Sequence, residues 1–167
     1  MVRWREWRRE SAADAFPTDA RMLMSPDEPG LGLRSLLGNT HSFLLVTRAL
    51  ADVIARHCAG APMEFFDFTL VDHQNSPVSD DYVFVNPLGA LDCLNHDESV
   101  VDYWHGRRDR VLGVDRFVLD PAKLRGAPAL FRIEQWPRAY VVDKALASDL
   151  LAHGFTNLVL DEIEVIA

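Results

Sequence analysis

Apolar residues recur along this chain with two different periods, and the switch between them outlines the fold. Phe43 to Val46 is a short apolar run of strand type, and Thr47 follows where a helix N-cap belongs. Leu50, Val53, Ile54 and His57 then fall at i, i+3, i+4 and i+7, which predicts a helix over Arg48–His57 with one inward face. Gly60 and Pro62 stop it. Phe66, Phe68 and Leu70 share one side of a pleat and Phe65 and Val71 the other, predicting a strand over Phe65–Val71.

The same design returns near the C-terminus. Tyr140–Val142 reads as a strand and Asp143 as an N-cap. Lys144–His153 reads as a helix with Leu146 and Leu150 inward, and Gly154 as the residue that ends it. Asn157–Leu160 and Glu162–Ile166 complete the pattern as strand. Aligned without gaps at an offset of 96, Leu44–Cys58 and Tyr140–Gly154 share five of fifteen residues, His57 and His153 among them. Strand, cap and helix coincide, so an internal strand–helix–strand duplication is expected.

Between the copies, Tyr82–Val85, Gly89–Leu94, Val114–Leu119 and Leu130–Ile133 are strand candidates, with a charged turn at Arg107–Arg110. The N-terminal Trp4 and Trp7 suggest a docked strand or turn, and the Pro- and Gly-rich Ser25–Gly38 a surface connection. The expected class is α+β, with a mixed, largely antiparallel sheet and two capped helices. At 167 residues the chain suits one domain over 1–167, with an irregular segment 1–41 before a body at 42–167.

Charge sharpens this picture by position. The chain carries a formal net charge of −8. His57–Gly106 holds nine acids and no Lys or Arg, whereas the remaining residues hold 17 bases against 16 acids. Nucleic acid and anionic membranes both require a basic surface, so neither is expected as a partner. The longest apolar runs fall far short of the roughly 20 residues a membrane-spanning helix needs, and no signal peptide is visible. A cytoplasmic location is expected.

Catalytic templates return little. No HExxH, P-loop, GxSxG or GxGxxG occurs, and the histidines lack zinc-site spacing, so neither metal nor cofactor is expected. Cys58 and Cys93 lie outside any CxxC and read as buried small hydrophobes rather than a disulfide. Asp92, Cys93 and His96 invite a thiol-nucleophile hypothesis, but the acidic surroundings would raise rather than lower the thiol pKa.

Several segments together resemble a known family. They are Tyr82–Asn95 with Ser99, Phe117–Asp120, Lys123–Gly126, Leu130–Ile133, Tyr140–Asp143 and Gly154–Leu158. In order and spacing this series is similar to the polymorphic-toxin immunity proteins first recognised in myxobacteria, across roughly Phe43–Val165. Asn157 stands where that pattern usually has Gly. The resemblance implies a non-enzymatic antitoxin that binds a cognate toxin of the same cell, with no catalytic residues to carry over. It gives the acidic stretch a purpose: Glu64, Asp67, Asp72, Asp80, Asp81, Asp97 and Glu98 become candidates for contact with a basic toxin surface. A small-ligand protein or enzyme centred on Cys93 is the alternative, and a homo-oligomeric structural module a third reading.

Overall fold

The computed structural model of the chain describes residues 11–25, 32–106 and 111–167. The sheet at its centre runs in the order β1 (Arg21–Leu23), β4 (Met63–Val71), β5 (Pro77–Pro87), β3 (Leu44–Thr47), β2 (Leu36–Leu37). Its pairings are antiparallel apart from β1, which lies parallel to β4. Helix α1 (Arg48–His57) leaves β3 directly.

Three two-stranded ladders accompany the sheet. β6 (Val100–Tyr103) pairs with β7 (Val111–Arg116), and β9 (Leu130–Arg132) with β10 (Tyr140–Val142), both antiparallel. β8 (Val118–Leu119) pairs in parallel with β11 (Glu164–Val165). Helix α2 (Lys144–Ala152) follows β10 and packs on α1.

Alternation along the central strands gives the sheet two apolar faces. Val46, Val83 and Val85 meet Leu50, Val53 and Ile54 of α1 and Leu146 and Leu150 of α2. On the other face Phe43, Leu45, Phe68, Leu70, Tyr82 and Phe84 pack together, covered by Ala12 and Phe16. Rings order this second layer: Phe16 stacks on Phe66 at 4.5 Å between centroids, and Phe43 lies 4.9 Å from Phe84. A third cluster, with Cys93, Leu94, Leu119, Phe131 and Ile133, fills the space beneath the ladders.

The mixed, largely antiparallel α+β architecture with two helices is as expected. Both helices lie where the 3.6-residue period put them, and Asp143 caps α2 by accepting from the Leu146 N–H at 2.8 Å. Thr47 holds the N-cap position of α1 without a side-chain bond.

Four expectations change. Asn157–Leu160 is not a strand, and only Glu164–Val165 of the following run is. Thr156 and Asn157 instead clip the segment onto β2: the Ser35 N–H donates to Thr156 Oγ1, and Asn157 Nδ2 to Leu36 O at 2.8 Å. Asn157 sits at φ 61°, a left-handed conformation that Asn tolerates better than most residues. The expected strand–helix–strand duplication is thus not confirmed: β10 leads into α2 as β3 leads into α1, but 157–160 supplies no closing strand.

Gly89–Leu94 makes only two isolated bridges, Leu91 to Ile133 and Leu94 to Leu119. Val114–Leu119 divides between β7 and β8. Ser25–Gly38 ends in β2, whose two residues are too short for an alternation signal. Trp4, Trp7 and the turn Arg107–Arg110 lie outside the described residues.

Phe84 is fully buried at the centre of the aromatic layer, whereas Val159 is 81% exposed. Phe84→Ala should therefore cost about 3–5 kcal/mol in denaturant unfolding. Val159→Ala should change stability by less than about 0.5 kcal/mol.

Candidate functional site

The seven candidate acids meet different fates once the chain is folded. Glu64, in β4, is turned inward to the segment covering the aromatic face. Its carboxylate accepts from the Ala12 N–H at 2.9 Å, from the Ser11 hydroxyl, and from Asn86 Nδ2 at 3.0 Å. Burial acts to raise its pKa, but the bonds from Ala12, Ser11, Asn86 and the Ala13 N–H together outweigh it and hold the group below its ordinary value of 4.5. Glu64 is engaged within the fold.

Asp67 is exposed and lies 2.9 Å from the Arg48 guanidinium at the start of α1. Asp72 closes the β4–β5 turn, its Oδ1 accepting from the N–H groups of Gln74 and Ser76 at 2.8 Å each. This is the Asx arrangement that lets one carboxylate replace a backbone partner.

Asp80 and Asp81 are exposed on β5, and among the described residues no cation lies within ion-pair distance of either. Asp81 is close enough to Tyr82 that burial first, and then the Asp81 charge, push that phenol's pKa upward.

Asp97 and Glu98 stand elsewhere. Their N–H groups donate to Asn95 Oδ1 in a turn that leads into β6, and Asn95 is itself anchored to Val118 and Ile166. Register places Asp67, Asp72, Asp80 and Asp81 on one hairpin, β4–β5, with Asp97 and Glu98 on a separate ladder system.

The suggested trio at Cys93 is divided by the fold. Cys93 is fully buried in the third cluster, and burial, ahead of the nearby Asp92 charge, pushes its thiol up to about 11. Asp92 faces outward instead, accepting from Gln135 and lying 3.4 Å from Lys123 Nζ and 4.0 Å from His96 Nε2. A buried, protonated thiol with no base beside it is a poor nucleophile at neutral pH. Cys58 is also buried and free, its pKa raised chiefly by burial.

A cleft of about 620 Å³ opens beside the C-terminal end of α1, between the loops around Pro62, Gly89 and Pro128. Its walls are mostly backbone and small apolar side chains. The ionisable groups at its rim have other duties: His57 Nε2 lies 3.0 Å from Asp149, and Asp143 caps α2. Among the described residues no cluster of His, Cys, Asp or Glu is arranged to hold a metal ion.

His57 and His153 converge on one carboxylate. Asp149 of α2 receives His57 on Oδ2 and His153 at 3.2 Å on Oδ1, with Arg56 at 3.8 Å. The bond from His57, above all, lowers the Asp149 pKa. This ties the ends of both helices together and is structural.

Sequence reasoning missed Asn86 and Arg132, the fully buried polar pair. Arg132 Nη2 donates to Asn86 Oδ1 at 3.3 Å and Nη1 to Pro137 O at 3.0 Å, and its guanidinium lies 4.5 Å from the Tyr140 ring centroid. An Arg inside the apolar run Leu130–Ile133 was the available signal.

These observations define a small α+β protein that carries exposed acids on its β4–β5 hairpin. The family model of the Immunity protein family (Imm11) matches residues 2–165, nearly the whole length, and the chain belongs to that family. No curated protein matches the chain. Among the described residues no helix is long and apolar enough to cross a membrane.

Because the Glu64 pKa is depressed, its contribution to stability is present above about pH 4.5 and lost as pH falls through the folded value. Glu64→Gln should thus lower the unfolding midpoint at pH 7 and converge with the parent protein at strongly acid pH, as read by thermal melts across pH. Alkylation of the folded protein checks the thiol: Cys93 should react more slowly than free cysteine at pH 7.

Proposed function

We propose that this protein is the immunity partner of a cognate toxin made by the same cell, and that it neutralises the toxin in the cytoplasm by binding rather than by catalysis. Membership of the immunity family over residues 2–165 carries the reading. Asp80 and Asp81, exposed acids with no ion-pair partner among the described residues, support the β4–β5 hairpin as the toxin-facing side.

Asp67 and Asp72 flank those acids on the same hairpin. A cluster of negative charge at one end of a sheet suits a basic toxin surface or active site, which it would occlude. Opposite charge accelerates encounter by about 10–10³-fold at low ionic strength, and screening removes the advantage as salt rises. The buried Cys93 favours binding over catalysis.

If the neighbouring reading frame encodes a toxin with a C-terminal effector domain, complex formation with that domain tests the proposal. Reversing both acids, Asp80→Lys with Asp81→Lys, should slow association by about tenfold at low salt and flatten its salt dependence. An association rate that stays the same at low salt would count against the acidic hairpin as the toxin-facing side.

A further inference from the structure

β5 is covered unevenly along its length. Tyr82–Val85 has β4 on one side and β3 on the other, and these four residues are buried. β3 stops at Thr47, opposite Tyr82, because the chain turns there into α1. Residues 77–81 continue the strand beyond that point, still paired to β4 through Leu70–Ser79 and Val71–Pro77. Among the described residues no strand lies along their other edge.

A free edge presents backbone N–H and C=O groups in alternation, and a second strand can satisfy them. This edge is short, acidic and partly apolar: Val78 is 41% exposed, and Asp80 and Asp81 follow it. The register irregularity between Phe68 and Leu70 of β4 falls opposite the same stretch. Bulges of this kind twist a strand and re-aim its side chains.

From this we infer that the β5 edge at residues 77–81 is the seat of toxin recognition, taking up an extended, basic segment of the toxin as an additional strand. The inference rests on the immunity reading and names the mode of contact within it. Charge selects the occupant. A second copy paired here would set Asp80 and Asp81 against acids of its own kind, which is unfavourable across a ladder. A strand carrying Lys or Arg would find opposite charges there. Backbone pairing would supply affinity and the acids the choice of partner, with Val78 offering an apolar contact between them.

Amide hydrogen exchange of the full chain, alone and bound to a C-terminal effector domain cloned from the neighbouring reading frame, tests this. Amides within Val78–Asp81 should slow by about tenfold or more in the complex. Asp80→Lys with Asp81→Lys should raise Kd by more than about tenfold, whereas Asp97→Lys with Glu98→Lys should change it by less than about twofold. Both variants must keep the parent's thermal midpoint to count. A complex that forms with protection elsewhere and none at residues 77–81, or equal losses from both charge reversals, overturns the edge while leaving the immunity reading intact. Failure of the unaltered protein to bind that toxin domain overturns both.

Discussion

Moving an ionised group out of water costs several kcal/mol even after the protein relaxes around it, and Arg132 is buried completely in β9. Its charge is accommodated by a chain of groups rather than by one contact. The guanidinium donates to Asn86 in β5, Asn86 donates to Glu64 in β4, and Glu64 accepts from Ser11 and Ala12. A positive charge in β9 is thus answered, through one amide of β5, by the carboxylate directly across from that amide in β4. Pro137 O and the Tyr140 ring also contact it, from the turn before β10 and from β10. The relay spans 121 residues of sequence, so an error in any one layer leaves a buried polar group without its bond, at about 1–3 kcal/mol each. It couples the ladder, the sheet and the segment that covers the aromatic face.

That coupling explains why one end of β5 is rigidly enclosed and the other is open. From Tyr82 to Pro87 the strand is buried throughout, with helices against one face, aromatic rings against the other, and Asn86 locked into the relay. Before Tyr82 none of these constraints operates, because β3 has already become α1. The Tyr82 hydroxyl, donating to Arg34 O at 2.8 Å, marks the boundary. An exposed strand projecting from a well-anchored sheet keeps its geometry without a partner, so a partner need order only its own segment on binding.

How much of this was legible depended on the range of the determining interactions. The helices, β10 and the inward faces of β3 and β4 follow from local periodicity, and each was readable from its apolar spacing. β1 and β2 carry three and two residues, too few for any period to show. The first residues of β5 have the polar composition of a turn, and they are strand because Leu70 and Val71 hold them in register. The seven acids are alike as letters. Glu64 differs from Asp80 because Ser11 and Ala12, more than fifty positions away, deliver donors to one and not the other. Asp67 differs because α1 begins where Arg48 can reach it. Charge counting found the acidic stretch, but long-range contacts decided which of its members remain available.

Acids on a free strand edge have a second consequence that bears on the proposed role. An unprotected edge invites self-association, and charged side chains are a common means of preventing it. Asp80 and Asp81 would serve both ends by the same electrostatics. On that proposal they would repel an identical edge, while leaving the backbone groups available to a strand of opposite charge. Solubility alone would be met equally well by acids on any exposed loop, as at Asp97 and Glu98, where Asn95 fixes the turn. Placing unpaired charge on a strand that projects past its neighbour adds selectivity to protection. That is the property an inhibitor of one particular basic protein requires.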